Sequence, residues 1–131
     1  MRKFITAIAI SALALGGTAA NAQTTAEKGA AKLEKMIEGR TAGEPVTCIS
    51  TMGRDKLEVI DETAVVYDGG KTVYVARPSD PRQLRRGDVL VIERTSPSQL
   101  CTLDVVKTVD RSSGFMTGVI FLDKFVPYTK N

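Results

Sequence analysis

Residues 63–76 limit the architectures open to this chain. Thr63-Ala64-Val65-Val66-Tyr67 and Thr72-Val73-Tyr74-Val75-Ala76 are β-branched and aromatic runs, separated by Asp68-Gly69-Gly70-Lys71. Gly69 and Gly70 can take the positive φ of a two-residue hairpin turn. In that register Val66 faces Val73 and Val65 faces Tyr74, with Asp68 and Lys71 closing the turn as an opposite-charge pair. Side chains alternate between the faces of a strand, and here both faces are apolar. Such a hairpin must be central or covered on its second side, which favours a small barrel, roll or sandwich over an open sheet.

The flanking sequence supplies more of the same material. Thr47 to Thr51, Leu57 to Ile60, Val89 to Arg94, Thr102 to Val109 and Gly118 to Leu122 are short runs bounded by Gly, Asp and Pro. The expected fold is mainly β, with about six to seven antiparallel strands, preceded by one N-terminal amphipathic helix. That helix is read at residues 25–38. Thr24-Thr25-Ala26-Glu27 has the capping-box form, in which a hydroxyl and a carboxylate three residues apart satisfy amides at a helix start. Ala26, Ala30, Leu33 and Ile37 recur on one face, and Gly39 can supply a left-handed stop. Lys28, Lys32, Glu34, Lys35 and Glu38 fall on the wet side; the helix could pack on the domain, where it is a natural lid, or project as a loosely held leader. Thr41 to Pro45 reads as a linker.

The N-terminus carries a different pattern. Arg2 and Lys3 precede an apolar run from Phe4 to Leu15 and a small-residue stretch ending Ala20-Asn21-Ala22 before Gln23. These are the parts of a secretory signal, with cleavage expected after Ala22. The run is too short to span a bilayer, which takes about 20 residues, and no later stretch approaches that length. Gln23 stands where a lipoprotein needs cysteine. The expected organisation is a cleaved leader at 1–22, helix and linker at 23–45, and a β domain at 46–131. Periplasm is the expected compartment, with release to the medium as the alternative.

Removing Arg2 and Lys3 from eighteen basic residues leaves sixteen against fifteen acidic ones, so the full chain's charge of +3 falls to +1. Mixed charges and few aromatics argue against a nucleic-acid binder, which shows a basic stripe with stacking rings. No membrane insertion is expected, and the chain is expected to be a monomer.

Cys48 and Cys101 are the two cysteines. They are too far apart for a C-x-x-C redox motif and lack histidine companions for zinc. In an oxidising compartment a disulfide is the expectation, with two buried thiols as the alternative. The bridge would close a loop of about 54 residues, for which chain-entropy theory gives roughly 4 kcal/mol.

The absence of histidine removes Ser-His and Cys-His nucleophile arrangements. No nucleophile elbow, phosphate loop or dinucleotide fingerprint is present. The serines at 50, 79, 96, 98, 112 and 113 read as turn chemistry. Asp61, Glu62, Asp88, Asp104, Asp110 and Asp123 could supply the carboxylate pair of a small hydrolase, but no tryptophan offers a sugar platform. No catalytic residue, cofactor or metal is assigned. Asp104 is singled out as a buried polar candidate, since it sits among Leu103, Val105 and Val106 in an expected strand. Facing inward it would need a partner, and arginine is the obvious one; an outward-facing strand residue, or a buried pair that only fixes register, is the alternative favoured over a site.

Residues 77–87 form the longest irregular connection. Arg77, Arg82, Arg85 and Arg86 concentrate charge there, and guanidinium groups suit bidentate contact with carboxylate or phosphate. The alternative is a solvated loop that protects a sheet edge. Arg86-Gly87-Asp88 also spells an integrin-recognition tripeptide, but Gly-Asp before a strand is ordinary turn chemistry.

A resemblance rests on Gly39-Arg40 with Ala42-Gly43 and Pro45, Cys48-Ile49, Asp61 with Thr63-Ala64, Val66-Tyr67 and Arg77-Pro78. It continues through Asp88-Val89-Leu90, Ser98-Gln99-Leu100-Cys101 with Asp104, Asp110-Arg111 and Phe125-Val126-Pro127-Tyr128. On these residues the chain resembles an uncharacterised family of small exported proteins of proteobacteria, especially sphingomonad-type alphaproteobacteria. The resemblance implies an exported one-domain protein and transfers no catalytic residue. Some more distant relatives carry additional cysteines that this chain lacks.

The function expected from these features is a non-catalytic periplasmic protein that binds another envelope component, either an anionic one or an envelope protein, through the 77–87 loop. An inhibitor of a cell-wall hydrolase such as lysozyme is the second reading. A small carboxylate hydrolase is the third, and a purely structural envelope protein the fourth.

Overall fold

The structure is a computed structural model that describes residues 22–52 and 56–131. The expected leader, apart from Ala22 itself, lies outside the described residues. Helix α1 spans Thr25–Ile37 and starts on the capping box: Thr24 Oγ1 accepts from Glu27 N at 3.2 Å while Thr24 N donates to Glu27 Oε2 at 2.7 Å. Gly39, at φ +69°, provides the left-handed stop.

Ten strands follow among the described residues: β1 (Arg40–Ala42), β2 (Cys48–Ser50), β3 (Lys56–Ile60), β4 (Ala64–Gly69), β5 (Thr72–Ala76), β6 (Asp88–Glu93), β7 (Gln99–Cys101), β8 (Val105–Asp110), β9 (Met116–Ile120) and β10 (Val126–Lys130). They form three antiparallel sheets, ordered β1-β10-β5-β4-β3, β2-β7 and β6-β8-β9, and do not close into a barrel. The mainly β expectation holds, but the strand number exceeds it. Arg40–Ala42, of which Thr41 and Ala42 read as linker, pairs with β10; the expected strand Thr102 to Val109 begins in a turn at 102–104 and is strand only from Val105, in β8. The sequence hides β10 because Pro127 lies inside it. Its carbonyl accepts from Gly43 N at 2.7 Å, just past the end of β1, so the donor that proline lacks would have pointed where that pairing already stops.

The hairpin is central, and each of its faces has a different cover. Val65, Tyr67 and Ala76 face a core completed by Ile49 and Leu100 from the β2-β7 ribbon, by Val106 and Ile120 from the three-stranded sheet, and by Leu84, Leu122 and Phe125. On the opposite face Ala64, Val66, Val73 and Val75 pack with Ile60 under Leu33 of α1. The helix therefore docks as a lid, but on a rotated face. Gly29 and Leu33 are buried, with Met36 and Ile37 half-buried, whereas Ala26 and Ala30 are exposed. Gly29 makes this approach possible, because a Cβ there would lie 2.0 Å from Thr63 Oγ1 and 2.6 Å from the Asp61 carbonyl oxygen.

The hairpin register also differs from the expected one. Gly69 pairs with Thr72, Tyr67 with Tyr74 and Val66 with Val75, so the turn is centred on Gly70-Lys71. Gly70 has φ +80° and its N–H donates to Asp68 Oδ1 at 2.8 Å, while Arg40 Nη1 donates to the carbonyls of Gly70 and Lys71. A positive φ at the first central residue alone is the type II′ pattern. The shift is two residues, so every side chain keeps its face and the packing logic survives.

Cys48 and Cys101 stand directly opposite each other in β2 and β7, joined by a disulfide with a Cα–Cα distance of 4.1 Å.

Candidate functional site

The 77–87 connection is tied down along its length. Pro78 bridges Leu122, Ser79 N donates to Phe121 O at 3.0 Å, and Pro81–Gln83 form a 3-10 turn in which the Asp80 carboxylate accepts from Arg82 N at 3.2 Å. Leu84 is fully buried in the core, and its carbonyl accepts from Glu62 N at 2.9 Å. Burying Leu84 fixes which way its neighbours point, and this sorts the four arginines.

Arg82 turns back on its own loop. Its Nε donates to Asp80 Oδ1 at 2.9 Å and its second guanidinium nitrogen to Oδ2 at 3.1 Å. These hydrogen bonds hold the Asp80 carboxyl below the usual carboxylate range and raise the Arg82 guanidinium in turn. Arg77 lies elsewhere, beside a hollow of about 180 Å³ shared with Asp123, Lys124 and Tyr128. Arg85 and Arg86 line a much larger open cleft of about 880 Å³.

That cleft runs between α1 and β3 on one side and β6 on the other. Its walls are Lys28, Gly29 and Lys32 from the helix, Leu57 to Ile60 from β3, and Asp88 to Leu90 from β6. Asp61, Glu62, Leu84, Arg85, Arg86 and Arg111 sit at its end. Its volume falls in the range of small-molecule and peptide sites. Lys32 pairs with Glu58, and Arg86 Nε lies 3.3 Å from Asp61 Oδ2. Lys32, Glu58 and Arg86 face solvent and Asp61 is half-buried; ion pairs with exposed members contribute little to stability. Asp88 Oδ2 accepts from the Thr117 hydroxyl at 2.6 Å. Lys28, Arg85 and Arg111 make no ion pair among the described residues. Sequence reasoning missed Lys28, Lys32 and Arg111 as lining residues. The four-residue spacing of the two lysines was visible, but not that their helix face borders the arginine loop.

The remaining candidates have structural surroundings. Asp104 is buried, but lies in the turn after β7 rather than in a strand, and no arginine hydrogen-bonds it. Its Oδ1 accepts from Thr95 N at 2.9 Å and the Thr95 hydroxyl at 3.0 Å, and its Oδ2 from Cys101 N at 2.7 Å. Burial alone would raise its pKa; the Cys101 and Thr95 hydrogen bonds and the charge of Arg94 outweigh it and lower the carboxyl below its ordinary value. Asp104 thus pins the segment after β6 to the disulfide-bearing strand. Asp110 caps its own turn through Ser112 N, Ser113 N and the Ser113 hydroxyl, and these bonds, led by Ser113, lower its pKa.

Among the described residues no cluster of three or more His, Cys, Asp or Glu side chains could hold a metal, and no helix is long and apolar enough to cross a membrane. No protein-family model, curated protein or solved structure matches this chain.

Proposed function

We propose that this chain is an exported, non-catalytic binding protein of the bacterial envelope that holds an anionic partner in the cleft between α1, β3 and β6. The observation that carries this reading is the gathering of Arg85 and Arg86 with Lys28, Lys32 and Arg111 around one cleft, three of the five having no ion pair among the described residues. Guanidinium groups not engaged by internal carboxylates are free to fork onto a partner's carboxylate or phosphate. The leader-like N-terminus and the disulfide support the periplasm as the compartment. The inhibitor reading would need a projecting loop, and 77–87 is instead held at Pro78, Ser79 and Leu84.

The test is retention of envelope-extract components on immobilised protein. Arg85→Ala with Arg111→Ala should abolish retention of an anionic partner, while Arg77→Ala with Arg82→Ala should leave it intact. Equal retention by both double variants would remove the cleft from consideration.

A further inference from the structure

Paired backbone hydrogen bonds join the five-stranded sheet to each of the other two sheets. Val46 and Phe125 exchange two backbone hydrogen bonds of 2.8 Å, joining the approach to β2 with the approach to β10. The Pro78–Leu122 bridge, with Asp123 N donating to Arg77 O at 2.8 Å, joins the end of β5 to the end of β9. Between β3 and β6 the only such tie among the described residues is Glu62 N to Leu84 O, at one end. Beyond it, both strands are the outer members of their sheets and border the same cleft.

An edge strand presents a row of main-chain donors and acceptors that pair readily with another extended chain. Here the two edges flank Leu57, Val59 and Leu90, which pack against the core yet remain half-buried. Lys28, Arg85 and Arg111, which make no ion pair among the described residues, stand around them.

From this we infer that the cleft takes an extended polypeptide segment of a partner protein, added as a strand along the free edge of β3, with carboxylate side chains directed to Lys28, Arg85 and Arg111. The inference rests on the cleft being the binding site and narrows its ligand to a class. β3 is the edge that pairs because four of its five residues line the cleft, against three of six in β6. Main-chain hydrogen bonds to β3 supply affinity independent of sequence. Side chains of an added strand alternate, so one set covers Leu57, Val59 and Leu90 while the other reaches the charged rim. The preferred segment therefore alternates apolar and acidic residues. Glu62 and Asp88 are the other acidic residues at the cleft besides the paired Glu58 and Asp61, and the Thr117 hydroxyl already engages Asp88.

The experiment uses ¹⁵N-labelled full chain as recovered from expressing bacteria and a capped nine-residue peptide of alternating valine and glutamate. Comparison peptides carry lysine in place of glutamate, or N-methyl groups on alternate backbone amides. The expected result is amide-exchange protection of β3 by the glutamate peptide. Its binding should be about tenfold tighter than that of the lysine peptide. Binding should also be lost on N-methylation and weakened about tenfold by Arg85→Ala with Arg111→Ala. Binding with unchanged β3 exchange, or with equal affinity for the lysine or N-methylated peptide, overturns the strand inference. Absence of peptide binding overturns it as well. In each case the anionic-cleft reading is judged separately by the retention experiment.

Discussion

Replacing Gly29 with alanine adds one methyl group where α1 meets the β3–β4 turn, and two effects of opposite sign compete. Helix propensity favours alanine by about 1 kcal/mol in a helix interior. Against this, the new Cβ would sit 2.0 Å from Thr63 Oγ1 and 2.6 Å from the Asp61 carbonyl oxygen. Neither atom yields freely: the Thr63 hydroxyl donates to that carbonyl at 2.9 Å, and the carbonyl is main chain. Reaching ordinary contact with Thr63 Oγ1 requires the helix to retreat by roughly 1.4 Å, and a gap of even 0.5–1 Å forfeits about a quarter to a half of the dispersion well for the atoms it separates. The retreat opens the packing of Leu33 on Ile60, Val66, Val73 and Val75. Overpacking costs about 1–3 kcal/mol in general, and a 2.0 Å approach to atoms that cannot yield puts this site in the upper part of that range, at about 2–3 kcal/mol. The net expectation for Gly29→Ala is a loss of about 1–2 kcal/mol, or a Tm lower by roughly 5–15 °C for a domain of this size. Urea unfolding followed by far-ultraviolet circular dichroism reads it directly. The neighbouring exchange supplies the control, because Ala30 is exposed and Ala30→Gly should lose about 1 kcal/mol through propensity alone. Glycine is thus preferred at 29 and alanine at 30. Thr63→Ala in the Gly29→Ala background should recover part of the loss. A Gly29→Ala protein as stable as the parent would refute the close approach of α1 to the sheet.

Two other perturbations address the β2-β7 end of the molecule. Changing Cys48 and Cys101 together to serine should cost about 2–5 kcal/mol by urea titration, and the parent protein should show no thiol titratable in denaturant. Asp104→Asn places a donor among groups that all donate to the carboxylate, and should cost about 1–3 kcal/mol at neutral pH. Because the folded carboxyl is held below its unfolded value, its contribution is present above about pH 4 and is lost as pH falls through the folded pKa. The urea midpoint of the parent should fall over that acid range, and the Asn variant should lack this part of the fall. An unaltered acid limb in the variant would show that other carboxylates govern it.

The parts of the fold that could be read in advance are those whose partners lie nearby in the chain. Thr24 and Glu27 satisfy each other across three residues, so the helix start was written locally. The hairpin announced itself by Gly69-Gly70 between two β-branched runs, and its two apolar faces foretold two covers. Its register did not follow, because the turn position involves Arg40, which reaches the carbonyls of Gly70 and Lys71 from thirty or so positions away. Three-residue strands such as β1 and β7 carry too little pattern to stand out, and Pro127 disguised β10.

At the candidate site the division is sharper. Sequence alone determined that arginines crowd residues 77–87, that two cysteines were available to pair, and that the hairpin needed cover on both sides. Those properties reside in residue type and short-range spacing. Only the tertiary structure decided that Leu84 anchors the loop, that Arg82 folds back on Asp80, and that Arg85 and Arg86 meet Lys28 and Arg111 across an open seam. The physical reason is that the cleft is the space left between two sheets and a helix. Its lining depends on how separately formed elements pack, and no local stretch of sequence encodes that distance.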